Sequence, residues 1–515
     1  MRTRSWLSDL LLATALASPL AVGLAIPLAA PALAQKSADT LRITWRDAIP
    51  NVDPYYNQLR SGIVLAHQTF DYLLYRDPET FRIKPLLAES FKWVDDTTLE
   101  FTLRPNVTFH NGDKFTADDV VYTINTVIKD KQVSVPSNYL YLAGAEKIDD
   151  LHVRVKLARI FPAALEYIAM TLPIWPKAYR ERVGADEFSR HPVGAGPYKI
   201  TRVDGTTEID LERYDGYYAD SPKSMPAIKY VVIHEVADAS TEMAELLGGR
   251  ADWIWKFSPD QFDAVSRMPN LQAMRAESMR ISYLGPDSAG RTGPNPLTNE
   301  KVRQALIMAI DRPTMAQQLV QGGSRALDAP CYPTQFGCDT TIAVHYPYDP
   351  VKSKALLTAA GYPDGFDTEI VTYELSQWAG AIQAYLKVVG INAKITNLQV
   401  GAQIQRVQAG KAPIDEGNWG SYSINDVSAI LPQYFTGGPA DQTRDPEVQR
   451  LVEAGGSTTD PDQRRKNYSD AIQLITSKAY WVPMFTQTIT YGLSKQLNFK
   501  PFPDELPRFY LSSWK

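Results

Sequence analysis

The stretch LEFTLRPNVTFHNGDKFTADDVV (99–121) indicates a strand, a turn and a helix in close succession. Leu99, Phe101 and Leu103 alternate with polar residues, and a period of two is typical of a half-buried strand. The Asn-Gly pair at 111–112 favours a turn, because both residue types tolerate the backbone angles that turns require. The pattern therefore predicts a strand that is followed by a tight turn.

An acidic cluster in the same stretch could belong to a catalytic or metal site, since Asp113, Asp118 and Asp119 crowd beside His110. However, Thr116 suits the N-cap of a helix, which places Asp118 and Asp119 in its first turn. Carboxylates are stabilising there because they face unpaired N–H groups and the positive end of the helix dipole. We therefore expect the cluster to serve the fold rather than chemistry.

The length of 515 residues and the ordinary globular composition predict two or three domains. Two arginines at the start precede an apolar stretch (10–34) that ends in Ala-Leu-Ala, the pattern of a secretory signal. An uncleaved membrane anchor is the alternative, but prolines and a glycine interrupt the stretch. No later stretch is apolar enough to span a membrane. We expect residues 1–34 to be a signal peptide that is cleaved after Ala34, and the mature protein to be periplasmic.

The sequence offers no recognisable catalytic or metal-binding motif. None of its six histidines lies in a His-x-His or His-Glu-x-x-His pattern. It has neither a Gly-x-Ser-x-Gly nucleophile turn nor a phosphate-binding Gly-x-x-x-x-Gly-Lys-Ser/Thr loop. The formal net charge of −5 argues against a nucleic-acid partner, which needs a basic surface. We predict a protein that is not an enzyme and has no catalytic residues, bound metal or cofactor; a secreted hydrolase is the alternative.

The two cysteines, Cys331 and Cys338, stand close together in CYPTQFGC (331–338). In an oxidising compartment such a pair favours a disulfide. A two-cysteine metal site is the alternative, but it needs further Cys or His ligands and only His345 lies nearby. We therefore predict a disulfide between the two cysteines.

A second amphipathic helix is predicted within NEKVRQALIMAIDR (299–312), whose apolar residues recur at i, i+3, i+4, i+7 and i+8. Thr298 or Asn299 can cap it. The run at 311–313 then indicates the start of another helix, which we expect to end near Gly322. Further helices are predicted near 239–249, 350–360, 377–389, 401–410 and 461–478, and strands near 40–45, 151–157, 228–233, 368–373 and 391–396. Their alternation between 300 and 490 predicts an α/β unit.

Many aromatic residues lie next to Pro, Gly, Asn or Asp, as in DPYYN (53–57) and NWGSYSIND (418–426), which suggests loops. Such side chains can line a pocket, because they offer a flat apolar face and, in Tyr and Trp, a polar tip. Packing into a core is the alternative for each of them.

Taken together, these segments resemble the solute-binding proteins of family 5, which include the dipeptide-, oligopeptide- and nickel-binding proteins of ABC importers. AESFKWVDDTTLEFTLRPNVTFHNGDKFTADDVVYTI (88–124) is similar to the signature region of that family. Five further segments fit in order along the chain: PVGAGPYKI (192–200), LLGGRADW (246–253), VRQALIMAIDR (302–312), YDPVKSKALLTAAGYPDG (348–365) and WVPMF (481–485).

The resemblance implies a two-lobed α/β periplasmic binding protein of the type II-like, cluster C kind, with an inserted subdomain and a hinged ligand cleft. The first lobe would be discontinuous, and the other two units would each be continuous. The implied boundaries are 35–80, 190–296 and 487–515 for the first lobe, 81–189 for the inserted subdomain and 297–486 for the second lobe. We expect a monomer.

The function that the resemblance implies is capture of a peptide, or of a related polar solute derived from amino acids, for delivery to the permease subunits of an ABC importer. A metal chelate or a haem-type ligand in the same fold is the alternative. In peptide-binding relatives a Trp near the cleft is followed, three residues later, by an Asp that holds the ligand's ammonium group. Trp419 matches the Trp, whereas Tyr422 stands at the Asp position. The predicted ligand-binding residues are Tyr55, Tyr56, Trp419, Tyr422, Asn425 and Asp426.

Overall fold

The computed structural model of the chain describes residues 39–57, 59–205 and 207–515. The predicted signal peptide (1–34), with its cleavage point, lies outside the described residues. Within them, no helix has both the length and the apolar character that a membrane span requires. We use the names first lobe, inserted subdomain and second lobe for the ranges given above; the boundaries themselves stay a prediction.

The strands of the described residues are β1 (Thr40–Trp45), β2 (Leu74–Arg76), β3 (Ile83–Pro85), β4 (Ala88–Asp95), β5 (Thr98–Leu103), β6 (Leu142–Asp149), β7 (His152–Leu157), β8 (Tyr198–Asp204), β9 (Glu208–Arg213), β10 (Tyr230–Glu235), β11 (Trp253–Trp255), β12 (Leu271–Pro286), β13 (Phe366–Thr372), β14 (Ile391–Asn397), β15 (Ile414–Trp419), β16 (Val482–Ser494), β17 (Leu497–Asn498) and β18 (Ser513–Trp514).

The α-helices of the same residues are α1 (Arg60–Thr69), α2 (Ala117–Val127), α3 (Ala164–Thr171), α4 (Lys177–Phe188), α5 (Ala239–Leu247), α6 (Pro259–Ser266), α7 (Glu300–Met308), α8 (Arg312–Met315), α9 (Pro350–Ala359), α10 (Ser376–Val388), α11 (Val400–Gln408), α12 (Leu431–Phe435), α13 (Pro446–Gly456) and α14 (Pro461–Ser477).

One mixed sheet runs through both lobes, in the order β14-β13-β15-β12-β16-β11-β1-β10-β9-β8. Its central strands, β12 and β16, are long, antiparallel and paired along most of their length. The strands on one side come from residues 366–419, and those on the other side come from residues 40–255. The two central strands therefore join the two halves of the sheet, as a two-lobed fold requires.

Separate hydrophobic cores stabilise the two sides. Trp45 and Trp253 are fully buried in the core that the first lobe shares with the inserted subdomain. Leu306 and Ile370 are fully buried in a core of the second lobe. Because each side has its own core, it can keep its shape while the cleft between the lobes changes.

The pairing of β12 with β16 is irregular where the two sides meet. Its register shifts between Glu277 and Ile281, as in a β-bulge. A bulge bends its strand and changes the direction in which a side chain points. Arg280 lies within this irregular stretch.

The stretch 99–121 folds as predicted, with β5 followed by a turn and α2. The Thr116 hydroxyl accepts from the N–H of Asp118 at 3.3 Å, and the Asp119 carboxylate accepts from the N–H of Thr116 at 2.9 Å. The Asp118 carboxylate pairs with Lys147 at 2.6 Å. These contacts confirm that Asp118 and Asp119 cap and brace the helix.

His110, beside that acidic cluster, fastens the PVGAGPYKI segment (192–200) to the turn. The N–H of Gly194 donates to its Nδ1 at 3.2 Å, and its Nε2–H donates to the carbonyl of Gly196 at 2.9 Å. Burial lowers the pKa of His110 to about 4, so the ring stays neutral at pH 7. A Cβ on Gly196 would lie 2.5 Å from the backbone of Thr69, which explains why glycine is needed there.

The other predicted helices and strands are confirmed within a few residues, and Asn299 caps α7 by accepting from the N–H of Lys301 at 2.9 Å. The helix predicted to run from 311–313 to near Gly322 forms, but only its first turn is α-helical. Helix α8 ends at Met315, and a π-helical turn, Ala316–Val320, continues it until Gln321 adopts a φ of +63°.

Candidate ligand-binding site

The parallel strands β13, β14 and β15 end at the same edge of the sheet. Tyr373 and Glu374 follow β13, and Asn418 and Trp419 end β15. Arg280, on the antiparallel neighbour β12, lies beside them. Ligands of α/β proteins bind in the crevice at the carboxyl ends of the strands, which makes this edge the candidate site.

A cavity of about 250 Å³ lies at this edge. One wall is apolar and comes from α11, through Val400, Ile404 and Val407. Aromatic and polar side chains supply the remaining walls. The volume is slightly below the usual range for ligand pockets and suits a group of amino-acid size.

The aromatic side of the cavity is closely packed. The ring of Tyr283 stacks on Trp481, with centroids 4.0 Å apart and planes at 11°. Trp419 packs edge-on against Tyr434 at 5.9 Å, and its indole N–H donates to the carbonyl of Ala429 at 2.8 Å. These contacts fix a flat apolar surface against which a side chain of a ligand can pack.

Asp415 is a buried carboxyl in the lining. It accepts hydrogen bonds from the hydroxyl of Tyr283 at 3.3 Å and from the side-chain amide of Gln403. Burial raises the pKa of Asp415 to about 7, because these two hydrogen bonds offset only part of the cost of desolvation. The group can therefore change its protonation state near neutral pH.

At the cavity, one amide side chain joins a cation to an anion. The Oδ1 of Asn418 accepts from Arg280 Nη1 at 2.5 Å, and its Nδ2 donates to Glu374. Gln487 also donates to Glu374, at 3.3 Å. Burial raises the pKa of Glu374, although Asn418 and Arg280 lower it in part. Arg280 and Asn418 line the cavity, whereas the buried Glu374 lies outside the lining and bonds to Asn418.

The C-terminal segment supplies the carboxylate that holds Arg280. Glu505 accepts from Nε of Arg280 at 3.0 Å and from Nη2 at 2.9 Å, and Arg60 pairs with the same carboxylate at 3.1 Å. Burial alone would raise the pKa of Glu505, but Arg280 and Arg60 outweigh it and hold the pKa at about 2. Arg60 also donates to the hydroxyl of Ser423 at 2.6 Å, so the ion cluster connects the two lobes.

Two of the predicted ligand-binding residues come together at the cavity. Trp419 lines it, and the ring of Tyr422 stands edge-on to the indole, with centroids 5.1 Å apart. Tyr422 has 37% of its surface exposed and a φ of +49°, a conformation that non-glycine residues rarely adopt. The pair therefore offers an aromatic corner beside the cavity.

Asn425 and Asp426 lie in the same segment but outside the lining of the 250 Å³ cavity. Both carboxylate oxygens of Asp426 accept from Arg464, at 2.9 and 3.0 Å, and one also accepts from the N–H of Ser428. The N–H of Asn425 donates to Glu166 of the inserted subdomain at 2.8 Å. These contacts hold the segment in place, and a ligand-binding role for both residues stays a prediction.

Tyr55 and Tyr56 lie between the first lobe and the inserted subdomain, away from this cavity. Tyr55 is fully buried and donates to the carbonyl of Pro173 at 2.5 Å, so it packs in the core. Tyr56 donates to Asp130 at 2.5 Å and accepts from Arg180 at 3.0 Å. Both hydroxyls bond to groups within the protein, and a ligand-binding role for Tyr55 and Tyr56 stays a prediction from the sequence.

The structure joins Cys331 and Cys338 in a disulfide, with their Cα atoms 5.9 Å apart. The bridged loop pairs with the segment that follows β15. The N–H of Phe336 donates to the carbonyl of Asn425 at 3.0 Å, and the N–H of Val427 donates to the carbonyl of Phe336 at 3.0 Å. The disulfide therefore braces the segment that carries the aromatic corner.

Sequence reasoning did not single out Arg280, Glu374, Asp415 or Glu505. None of the four lies in a recognisable motif, although the acidic pair directly after Ile414, inside a buried strand, is an unusual feature that could have pointed to Asp415. Within the described ranges, no group of three or more His, Cys, Asp and Glu side chains is placed to hold a metal ion.

Comparison with known proteins identifies relatives along the whole chain. The sequence profile of the bacterial extracellular solute-binding proteins, family 5 (middle region), matches residues 82–442. The glutathione-binding protein GsiB of Salmonella paratyphi A is 26% identical over 527 residues, and the match covers 98% of this chain and 97% of that protein.

Solved structures share the fold. HbpA2 from Haemophilus parasuis superposes with a TM-score of 0.79 at 23% identity, covering 92% of this chain and 100% of that chain. A dipeptide-binding protein from a Pseudoalteromonas species, in complex with Met-Leu, gives a TM-score of 0.74 at 21% identity, with the same coverage. These likenesses confirm the predicted two-lobed α/β fold. The family profile matches well over half of the length of this chain. The chain therefore belongs to family 5 of the bacterial extracellular solute-binding proteins.

Proposed function

We propose that this protein captures a short peptide, or a related polar solute derived from amino acids, in the cleft beside Trp419. Family 5 proteins are the solute-binding components of ABC importers, so the captured solute would pass unchanged to the permease subunits. GsiB is named for glutathione, and the Pseudoalteromonas protein holds Met-Leu. Both ligands are small peptides with ionised ends, which supports the same class for this chain.

The observation that carries the proposal is the arrangement of Arg280 and Glu374 on either side of Asn418. The first residue of a peptide presents an ammonium group and, next to it, a carbonyl oxygen. We assign Arg280, which lines the cavity, to donate to the carbonyl, and Glu374, which lies outside the lining on the other side of Asn418, to accept from the ammonium. A buried ammonium needs such a carboxylate, because an unpaired charge in a closed cleft is costly.

The neighbouring cavity of about 250 Å³ would hold the side chain of that first residue. Its walls are the apolar face of α11 and the rings of Tyr283, Trp419 and Tyr434, which suit an apolar or aromatic side chain. In this arrangement Glu374 replaces the Asp of peptide-binding relatives, whose position Tyr422 occupies here. We assign Tyr422 an aromatic contact with the ligand in place of an ionic one.

The test is calorimetry and thermal melting of the mature protein with dipeptides, tripeptides and glutathione. We expect one of these solutes to bind with one-to-one stoichiometry and to raise the Tm, since a ligand stabilises the state that binds it. Arg280→Gln should weaken that binding by about tenfold or more. Arg325→Gln is the matched control, because Arg325 pairs with Glu277 at 2.8 Å on the surface and does not line the cavity.

Two outcomes would overturn the proposal: binding of none of these solutes, or release of a chemically altered solute. We also propose that the mature protein is a periplasmic monomer that begins at Gln35. Intact-mass measurement of the exported protein would show cleavage after Ala34, and size-exclusion chromatography with light scattering would give the mass of one chain.

A further inference from the structure

A second and larger cavity, of about 640 Å³, lies between the inserted subdomain and the second lobe. The short helix α12 separates it from the first cavity, because Gln433 and Tyr434 line the first cavity whereas Pro432 and Thr436 line the second. Its volume falls within the usual range for ligand pockets. The function proposed above does not use this space.

Two hydroxyls of the lining, one on each wall, have no hydrogen-bond partner among the described residues. They belong to Tyr141 of the inserted subdomain and Ser428 of the second lobe. Tyr141 is only 2% exposed. Both oxygens are enclosed within their walls, so the groups that a guest would meet are the aromatic rings and Arg159.

The wall from the inserted subdomain is aromatic. Phe161 stacks on Tyr141 with centroids 4.9 Å apart and packs edge-on against Tyr167 at 5.1 Å. The guanidinium of Arg159 lies over the ring of Phe161, 5.8 Å from its centroid. Arg159 is exposed and has no carboxylate partner among the residues that the structure describes. A cation beside three aromatic rings suits a ligand group that combines a ring with a carboxylate.

The two cavities lie on either side of one segment of the second lobe. Trp419 and Tyr434 line the first cavity, and Ser428 and Pro432 line the second. The same segment carries Tyr422, whose ring packs against Trp419. A peptide held by its first residue beside Trp419 would therefore cross this segment to reach the aromatic wall.

We propose that the larger cavity binds the last residue of the captured peptide and selects an aromatic side chain there, with its ring against Phe161 and its terminal carboxylate on Arg159. This inference rests on the proposed function, since it extends the same ligand across the segment that carries Trp419 and Tyr422. Glu453, on the opposite wall, accepts from Gln449 at 2.7 Å and disfavours an acidic side chain at this position.

The test compares peptides that differ only in their last residue. Calorimetry would measure the affinity of alanine dipeptides, tripeptides and tetrapeptides that end in Ala, Phe, Glu or the amide of Phe. At the length that spans both cavities, Phe should bind at least about tenfold more tightly than Ala, because burial of a ring is strongly favourable. Glu should show no such gain.

Arg159→Gln should weaken binding of the free-acid Phe peptide by about tenfold and should leave binding of its amide nearly unchanged. Arg182→Gln is the matched control. Arg182 also lies in the inserted subdomain, over the ring of Tyr179 at 5.3 Å, and is not part of the cavity lining. Arg182→Gln removes the same charge and the same kind of ring contact as Arg159→Gln. It should change the affinity neither for the free-acid Phe peptide nor for its amide.

The possible failures are distinguishable. Two results would refute binding of the last residue in the larger cavity and leave the proposed function standing. In the first, alanine peptides bind but a terminal Phe gives no gain in affinity at any length. In the second, Arg159→Gln weakens binding of the acid and of the amide equally. If no peptide of the series binds, both proposals fall.

Discussion

Arg280 and Glu505 face each other through two hydrogen bonds, of 3.0 and 2.9 Å, although 225 positions separate them in the sequence. The pair connects the irregular middle of β12 to the C-terminal segment. Arg60 shares the carboxylate at 3.1 Å and links it to Ser423 of the second lobe. One buried carboxylate thus holds the arginine that we assign to the ligand and also contributes to the contact between the lobes.

Replacement of that carboxylate should cost stability. Glu505→Gln leaves the half-buried Arg280 and Arg60 without their buried anionic partner, and we expect the free energy of unfolding to fall by about 3 kcal/mol. Urea unfolding of the mature protein measures this change. Glu79→Gln removes the same charge from an exposed pair with Lys500 and should cost less than about 1 kcal/mol. Equal losses in the two variants would contradict the role of Glu505.

Asp415 should make stability depend on pH. Its pKa is raised from the ordinary 3.8 to about 7, so between these values the folded protein keeps a proton that the unfolded chain has lost. The contribution of Asp415 to the free energy of unfolding therefore falls as the pH rises through this window, and is constant above it.

In Asp415→Asn this contribution is absent. The slope of the unfolding free energy against pH between pH 5 and 7 should therefore change by an amount that corresponds to up to one bound proton. Urea titrations across that range would show it. Asp462→Asn, at an exposed position on α14, is the control and should keep the slope of the wild type. An unchanged slope in Asp415→Asn would show that the carboxyl is already ionised in this range.

The disulfide should stabilise the segment that carries the aromatic corner. In the chain-entropy model, a loop as short as 331–338 contributes about 2.5 kcal/mol. We therefore expect the double variant Cys331→Ser, Cys338→Ser to unfold at lower urea concentration and to show faster amide exchange at Val427, whose N–H bonds to the bridged loop. Amide exchange measured by mass spectrometry would test this. An unchanged rate of amide exchange at Val427 would show that the disulfide does not stabilise this segment.

Trp419 should matter for affinity more than for folding. Trp419→Leu removes the flat face and the indole N–H that bonds to Ala429, and we expect the affinity for the captured solute to fall about tenfold. Trp93→Leu, a change of the same kind at a half-buried position on β4, is the control. Calorimetry should show the loss of affinity in Trp419→Leu and not in Trp93→Leu. Equal affinities of the two variants would exclude Trp419 from the site.

Much of the fold could be read from local patterns. The alternation at 99–103 and the cap at Thr116 depend on neighbours within a few residues, and the structure reproduces both. The same holds for α14, where an apolar stripe and a preceding Asp-Pro pair mark the helix. These elements were predictable because backbone propensity and burial agree in them.

The candidate site was less predictable, because its charges come from distant segments. Nothing in the sequence near Arg280 or Glu505 shows that they meet. Loop aromatics were ambiguous for another reason: Tyr55 and Trp419 both occur beside turn residues, yet one is fully buried and the other lines the cavity. An aromatic ring is equally suited to a core and to a pocket wall, so only the tertiary structure distinguishes the two.

Native mass spectrometry of the mature protein with a bound peptide, followed by the mass of the peptide that it releases, tests most directly whether the protein is a carrier. We expect one intact peptide per chain, binding that is weaker by about tenfold or more in Arg280→Gln, and unchanged binding in Arg325→Gln. No complex with any peptide, or a released peptide of changed mass, would contradict capture of an unaltered solute in this cleft.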